Sequence, residues 1–369
     1  MKIGIFTFHC VSNYGAVLQT YCLQEVIKSM GHEVYVIDYR PKYLMEPYKV
    51  FSYDSSSSYS YIAKCKGFVR ACLVTPIRWK RNRTFSKFVK NRLNLYKLDL
   101  NDESNDFDAF VFGSDQIWNP KITCGFDKVY LGDFPAAKGK KLIAYAASVG
   151  SVSNLQSENI GYFLGRLKCF DKVFVREESL ADYINQEISP IAKVVLDPVL
   201  LGGMTVLNTL LLSSHKPIHN GSYLLLFQLL RNDHIAEYAM DFADKKGLDI
   251  VELATMAESL LNRKMEQTLS VERLLLYIKN SSYVITTSFH GTVLSILQNK
   301  QFHTISVTRY KDERILCLLK KLNILDRMLA VNDRKISLLN PIDYDIVNNL
   351  YERKKVESRN ILYQSLSCR

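Results

Sequence analysis

Residues 2–41 read KIGIFTFHCVSNYGAVLQTYCLQEVIKSMGHEVYVIDYRP, and their order decides the fold. KIGIFTF (2–8) is a short apolar run. Val17, Leu18, Tyr21, Leu23, Val26, Ile27 and Met30 then recur at three- and four-residue steps, the period of a helix with a buried face. Gly31 stops that helix. GHEVYVIDYRP supplies a second strand, ended by Arg40-Pro41. Strand, loop, helix and strand make a βαβ unit, which opens a parallel sheet with a right-handed crossover.

The alternation continues outward from this unit. FDAFVF (107–112), KLIAYAAS (141–148), KVFVR (172–176) and KVVLD (193–197) read as buried strands, with helices near 155–168 and 177–186. Residues 42–60 read as loop and contain the serine run Ser55 to Ser58. Residues 61–96 read as one or two basic amphipathic helices broken near Thr75-Pro76. The second half restarts the pattern with strands at 223–229, 248–253, 283–288 and 302–307 and helices at 232–246, 270–280, 291–298 and 313–323. Helical patterning returns from about 343 to 366. The expected fold is α/β, with two doubly wound, Rossmann-like domains facing across a cleft. The expected division is 1–200, with a basic helical insertion at 55–98, then 201–340, then a C-terminal helix in 341–369. Ligands in such sheets bind outside the carboxyl ends of the strands, so the polar residues there carry the functional question.

Composition excludes several classes. The 369 residues are 47% hydrophobic and 23% charged, which rules out collagen-like, coiled-coil and wholly disordered chains. Lys plus Arg number 48 against 37 Asp plus Glu, a net charge of +11. Residues 55–98 hold eleven basic residues and no acidic one, so this segment carries the whole excess and the remainder is neutral. A nucleic-acid binder would spread its charge along a recognisable module, and none is visible. The eight cysteines are dispersed, without CxxC or zinc-ligand spacing, which fits reduced thiols and no metal. MKIGIFTFH meets VSNYG without a small-residue cleavage site, and no apolar run approaches about 18 residues. A cytoplasmic location is the expectation.

Five segments at strand ends have the chemistry of a site. Asn13-Tyr14-Gly15 opens a helix whose free N–H groups can receive an anion, although the same residues make an ordinary N-cap. Gly113-Ser114-Asp115-Gln116-Ile117-Trp118-Asn119 offers hydrogen-bonding groups and an indole face to a sugar; a polar turn with a buried Trp is the plainer alternative. Arg176, before Glu177-Glu178, ends a buried strand where a helix begins, a place for a carboxylate or phosphate clamp or for an Arg–Glu surface pair. His290, in Thr286-Thr287-Ser288-Phe289-His290-Gly291-Thr292, sits where a helix dipole holds an imidazole near neutrality, which suits acid/base work. Arg314, in Asp312-Glu313-Arg314-Ile315, is a second anion anchor or an exposed residue of a helix start. Two guanidinium groups together suit a small polyanion.

NYGAVLQTYCLQ, GSDQIWN, VREES, LDPVLL, TTSFHGTVLSI and the DERI helix start, in this order, resemble the polysaccharide pyruvyl transferase family over roughly residues 1–330. That resemblance implies a GT-B-like fold and transfer of pyruvate from phosphoenolpyruvate to two hydroxyls of a sugar, giving a cyclic ketal. It implies no cofactor beyond phosphoenolpyruvate as donor substrate. Arg176 matches the family's phosphoenolpyruvate-binding arginine and His290 its catalytic histidine. Arg314 stands where some members have lysine. Several members have arginine two residues before the histidine, where this chain has Ser288. The implied donor site is Arg176, Arg314, Ser288 and Gly291. The implied acceptor site is Asn13, Tyr14, Gly15, Gln116, Trp118 and Asn119, with Asp115 beside His290 in catalysis.

The expected partners are phosphoenolpyruvate and a saccharide acceptor of a surface or extracellular polysaccharide, including one linked to a lipid pyrophosphate. The basic segment 55–98, with Tyr59, Tyr61, Phe68, Trp79, Phe85 and Phe88, then reads as a peripheral contact at the inner membrane face or as a solvated helical face. Two rivals stand. A nucleotide-sugar glycosyltransferase would share the fold and need a ribose carboxylate, for which Asp249 and Glu252 are the candidates. A non-catalytic glycan-binding member would explain Ser288.

Overall fold

The structure is a computed structural model that describes residues 1–53, 61–155, 159–212, 221–254, 265–307, 313–331 and 340–367. The first sheet contains β1 (Lys2–Phe6), β2 (Glu33–Ile37), β3 (Leu95–Tyr96), β4 (Ala109–Phe112), β5 (Lys141–Ala147), β6 (Lys172–Val175) and β7 (Ala192–Val194). Its seven strands are parallel, in the order β3-β2-β1-β4-β5-β6-β7. The second contains β8 (Tyr223–Gln228), β9 (Asp249–Ala254), β10 (Tyr283–Thr286), β11 (Phe302–Ser306) and β12 (Met328–Ala330), also parallel, in the order β12-β11-β10-β8-β9. Continuous apolar strands such as YLLLFQ require cover on both faces, and helices provide it.

Those helices are α1 (Tyr14–Lys28), α2 (Lys42–Met45), α3 (Tyr61–Arg92), α4 (Pro120–Thr123), α5 (Ile160–Leu167), α6 (Glu178–Glu187), α7 (Pro198–Leu211), α8 (Asp233–Lys246), α9 (Val271–Asn280), α10 (Phe289–Leu297), α11 (Glu313–Lys321) and α12 (Tyr344–Ser367). The strand reversal between β1 and β4 puts a crevice at the carboxyl ends of those two strands. In the second sheet β10 ends at Thr286, from which the chain turns into α10.

Three details differ from the sequence reading. α3 runs unbroken through Pro76 as one helix of 32 residues, since a proline removes one backbone donor without forbidding continuation when the rest of the helix is anchored. The stretch after Asp197, to which no element is assigned from sequence, is α7, capped by the Asp197 side chain on the Val199 N–H (2.9 Å), with Pro198 in its first turn. The 42–60 stretch, read as loop, holds α2 and a single 3-10 turn at Glu46–Tyr48, while Ser55 to Ser58 and Tyr59 lie outside the described residues.

The two halves share a core. Tyr14, Val17 and Tyr21 of α1, Phe85 and Phe88 of α3 and Val199, Leu207 and Leu210 of α7 form one buried cluster with Leu274 and Ile278 of α9 and Val293 and Leu294 of α10. α12 begins against the second half, where Tyr344 Oη donates to the Lys300 carbonyl. It ends in the first, where Leu362 and Leu366 pack with Ile3, Ile5, Leu23 and Val26.

Candidate active site

Asn13 caps α1 by accepting from the N–H groups of Gly15 (2.9 Å) and Ala16 (3.3 Å). Gly15 then lies in the first turn, directly against His290 of the other half. A Cβ at Gly15 would stand 2.1 Å from His290 Nδ1, so only glycine leaves room for the ring. His290 is in the first turn of α10, where Ser288 caps the helix by accepting from the Gly291 N–H at 3.3 Å. Two helix starts, one from each half, therefore meet at this imidazole.

Arg176 follows β6 and is almost wholly buried. Its Nη1 donates to Asp197 Oδ2 at 3.1 Å and its Nε to Glu177 Oε1 at 3.2 Å. Asp115 Oδ1 lies 4.0 Å from Nη2, which has no hydrogen-bond partner among the described residues. Burial by itself would lower the pKa of this guanidinium. The carboxylates of Glu177, Asp197 and Asp115 outweigh it and raise the pKa further above its ordinary value. The charge is permanent, and its orientation is set by these acids. Two of its donor nitrogens are thus held by these acids, and Nη2 is left to the site.

Asp197 is the hub of the site. Besides Arg176, its Oδ2 accepts from Ser114 Oγ at 3.4 Å and lies 3.8 Å from His290 Nε2. Glu177 accepts from Ser148 Oγ at 2.6 Å, while its Oε2 has no hydrogen-bond partner among the described residues. His290 exposes 12% of its side chain, and among the described residues its Nε2 likewise has no hydrogen bond. Burial pushes its pKa below the usual 6.5, opposed by Asp197 and Asp115 and helped by Arg176 and Arg314. Arg314, in the first turn of α11, and Arg176 both approach the Phe289 ring, at 5.5 and 5.1 Å from its centroid. α6 and α11 are tied across the cleft by Ser179 to Glu313 and by Lys321 to Glu178 (3.0 Å). Asp312 lies outside the described residues.

Beside this cluster a cavity of about 470 Å³ opens in the first half, lined by Phe8, Asn13, Tyr43, Tyr48, Asp115 and Gln116 among others. Several sequence-predicted binding residues do not present themselves to it. Trp118 is a core residue: it is 1% exposed, its Nε1 donates to the Tyr130 carbonyl (3.0 Å), and it packs on Phe163 and Phe170. Asn119 is used to cap α4 and to bond Gln116. Tyr14 is buried in the shared core, its hydroxyl on the Leu269 carbonyl (2.9 Å). Ser288 and Gly291 are accounted for by the start of α10 itself; a Cβ on Gly291 would stand 2.2 Å from Thr286 Oγ1. Asp249 begins β9, at the end of the strand away from the cleft, and Glu252, inside β9, accepts from Gln228 Nε2 of the neighbouring β8. Asp197 was missed as a site residue, because it acts on Arg176 and His290, which are far away in sequence. The only local sign of Asp197 is an acidic cap before proline at a strand end.

No curated protein matches this chain. Among solved structures, the UDP-GlcNAc 2-epimerase of Neisseria meningitidis bound to UDP-GlcNAc is similar over 99% of each chain at 11% identity, with a TM-score of 0.50. The glycosyltransferase SnogD of Streptomyces nogalater matches 99% of this chain and 98% of its own at 13% identity, with a TM-score of 0.43. The former likeness supports a two-domain, Rossmann-like arrangement of the GT-B kind and says nothing of substrate. The sequence model of one family, described as polysaccharide pyruvyl transferase, matches residues 13–309, a span that takes in Asp115, Arg176, Asp197 and His290. The chain belongs to the polysaccharide pyruvyl transferase family.

Proposed function

We propose that the protein transfers pyruvate from phosphoenolpyruvate to two hydroxyls of a sugar in a surface or extracellular polysaccharide precursor, closing a cyclic ketal. The observation that supports this most is the set of buried polar atoms at the join of the halves that have no partner among the described residues: Arg176 Nη2, His290 Nε2 and Glu177 Oε2. Buried polar atoms are nearly always satisfied, so three together point to a ligand that completes them. In this reading Arg176 Nη2 and Arg314 hold the donor's anionic groups, and the acceptor enters from the cavity beside Asp115.

His290 starts neutral and takes the proton of the first attacking hydroxyl at Nε2. It returns that proton to the donor's methylene carbon, which becomes a methyl group as the new C–O bond forms at C2. The second hydroxyl then attacks C2, the phosphate leaves with the bonding pair, and that hydroxyl's proton leaves with it. Asp197, 3.8 Å from Nε2, stabilises the transient imidazolium.

The test is phosphate release from phosphoenolpyruvate with galactose- and mannose-type acceptors, paired with product mass. Acceptor-dependent release is expected, reduced about 10²- to 10⁴-fold in His290→Gln. Because the base must be neutral and its pKa lies below 6.5, the rate should hold through neutrality and fall only on the acid side. Hydrolysis or transfer from a UDP- or GDP-sugar, with phosphoenolpyruvate inert, would replace this reading with glycosyl transfer. Turnover of neither donor class would favour a non-catalytic glycan binder.

A further inference from the structure

The outer half of α3 has an apolar face that is largely open to solvent, with Phe68 meeting the rings of Phe51 (6.1 Å) and Tyr53 (5.6 Å) at one point of it. Tyr61, Ile62, Phe68, Val69, Leu73 and Trp79 are exposed, with 81% of Tyr61, 67% of Ile62, 56% of Val69 and 54% of Trp79 open to solvent. At about 100° per residue these positions share one stripe roughly 140° wide, and Cys65, Cys72 and Pro76 fall within it. The opposite face carries Ala71, Val74, Arg81 and Phe85, which are buried against the molecule. The helix is therefore apolar on two sides, one buried by the fold and one largely exposed. Contiguous exposed apolar surface of this extent marks an interaction site.

Charge decides what covers it. Lys64 flanks the stripe on one side, Lys66 and Arg70 flank it on the other, and Lys80 stands at its edge, while Arg78 falls between Ala71 and Phe85 on the opposite face. No acidic residue occurs from 55 to 98. A second copy of this helix would place these cations against their own copies without a compensating carboxylate, which opposes pairing. An anionic lipid surface instead receives the apolar stripe at the acyl boundary and the flanking cations at its headgroups. Trp79 and Tyr61 have the amphipathic rings that settle at that depth. No helix of the described residues is long and apolar enough to cross a membrane, so the geometry is that of a helix lying flat.

We infer that residues 61–80 of α3 dock the protein on an anionic phospholipid bilayer. The position has a consequence for the site. Three residues beyond Trp79, Asn82 donates to the Tyr48 carbonyl (2.7 Å) and accepts from Ser12 Oγ (2.7 Å), and Tyr48 lines the cavity next to Asp115. Docking there brings the cavity wall near the lipid surface, where an acceptor carried on a lipid would be presented. The inference does not depend on the donor chemistry. It also narrows the membrane expectation raised by sequence: Phe85, Phe88 and Arg81 belong to the interior, and Tyr59 lies outside the described residues.

The test uses the full chain with vesicles of phosphatidylcholine, alone or mixed with phosphatidylglycerol. Flotation with the anionic vesicles only is expected, with a blue shift of tryptophan emission and quenching by brominated acyl chains. Trp118 is buried and Trp79 exposed, so the change reports Trp79. Combined Lys66→Gln, Arg70→Gln and Lys80→Gln should weaken partitioning roughly fivefold per residue and on the order of a hundredfold together. Combined Ile62→Ser, Val69→Ser and Trp79→Ser should abolish it with thermal stability unchanged, since these side chains are exposed. Equal binding to neutral vesicles, or no binding to either, would overturn the inference. So would a concentration-dependent dimer that disappears in the serine variant.

Discussion

Gly15 shows how much a single missing methyl group decides. The residue is helical and unstrained, so alanine suits its backbone, yet its Cβ would collide with the His290 ring at 2.1 Å. Gly15→Ala should displace the imidazole from between the halves and reduce turnover about as much as His290→Gln, while costing only about 1–3 kcal/mol of stability. Phosphate release and urea unfolding measured side by side separate the two effects; normal turnover would show that this ring position is not the reactive one. Arg176 behaves differently. Arg176→Ala strips the cation from Asp197 and Glu177 and should destabilise the fold by roughly 3–5 kcal/mol. Arg176→Lys, which keeps a charge but loses the planar fork, is the variant in which donor affinity can be read. Arg176 and His290 were legible in sequence because each follows an apolar strand, where a charged or titratable side chain has little structural reason to stand. Trp118 misled because an indole among polar neighbours in sequence turns inward in space.

At the scale of elements, β11 carries a histidine that the site does not use. His303 is fully buried, with Nδ1 facing Tyr238 Oη and Nε2 facing Tyr283 Oη, each at 3.2 Å. Burial first, and Arg327 second, lower its pKa to about 4. The unfolded chain has a normal histidine near 6.5, so between about pH 6.5 and 4 it binds a proton that the native state refuses. The stability due to neutral His303 is fully present above about pH 6.5 and is lost as pH falls to about 4, at most about 3 kcal/mol. In His303→Gln the decline in unfolding free energy over that range should be shallower than in wild type; identical slopes would show that this ring is not held neutral. α7 was the element least legible in sequence. It is buried against both halves and kinked at Gly203, so it lacks the one-sided period that marks a surface helix. α3 was misjudged at Pro76 because local propensity was outweighed by tertiary anchoring of the residues beyond it.

The whole molecule is held as one body by contacts that cross the cleft. Arg81 of α3 is the strongest polar example. Its guanidinium donates to the carbonyls of Ser12 (3.1 Å) and Gln267 (2.8 Å), and at 3.4 Å to that of Ala254. It also stacks over Tyr14 and Phe85. Arg81→Met removes the guanidinium's bonds to those carbonyls and should lower the unfolding midpoint by the equivalent of roughly 2–4 kcal/mol. Wild type should unfold in one transition by both tryptophan fluorescence and circular dichroism, because the shared core belongs to neither half alone. Separate transitions would show that the halves are thermodynamically independent. Sequence by itself determined the alternation of strands and helices, the doubly wound class, the concentration of positive charge in one segment and the strand-end chemistry of Arg176 and His290. These are local properties, set by side-chain period and by the few residues that end each strand. Tertiary structure alone decided that Asp197 joins Arg176 to His290, that Gly15 makes room for a ring 275 positions away, that Arg81 is a staple and that one face of α3 is left largely exposed. Each depends on which surfaces two sheets bury against one another, and that is settled by the packing of the entire chain rather than by any window of it.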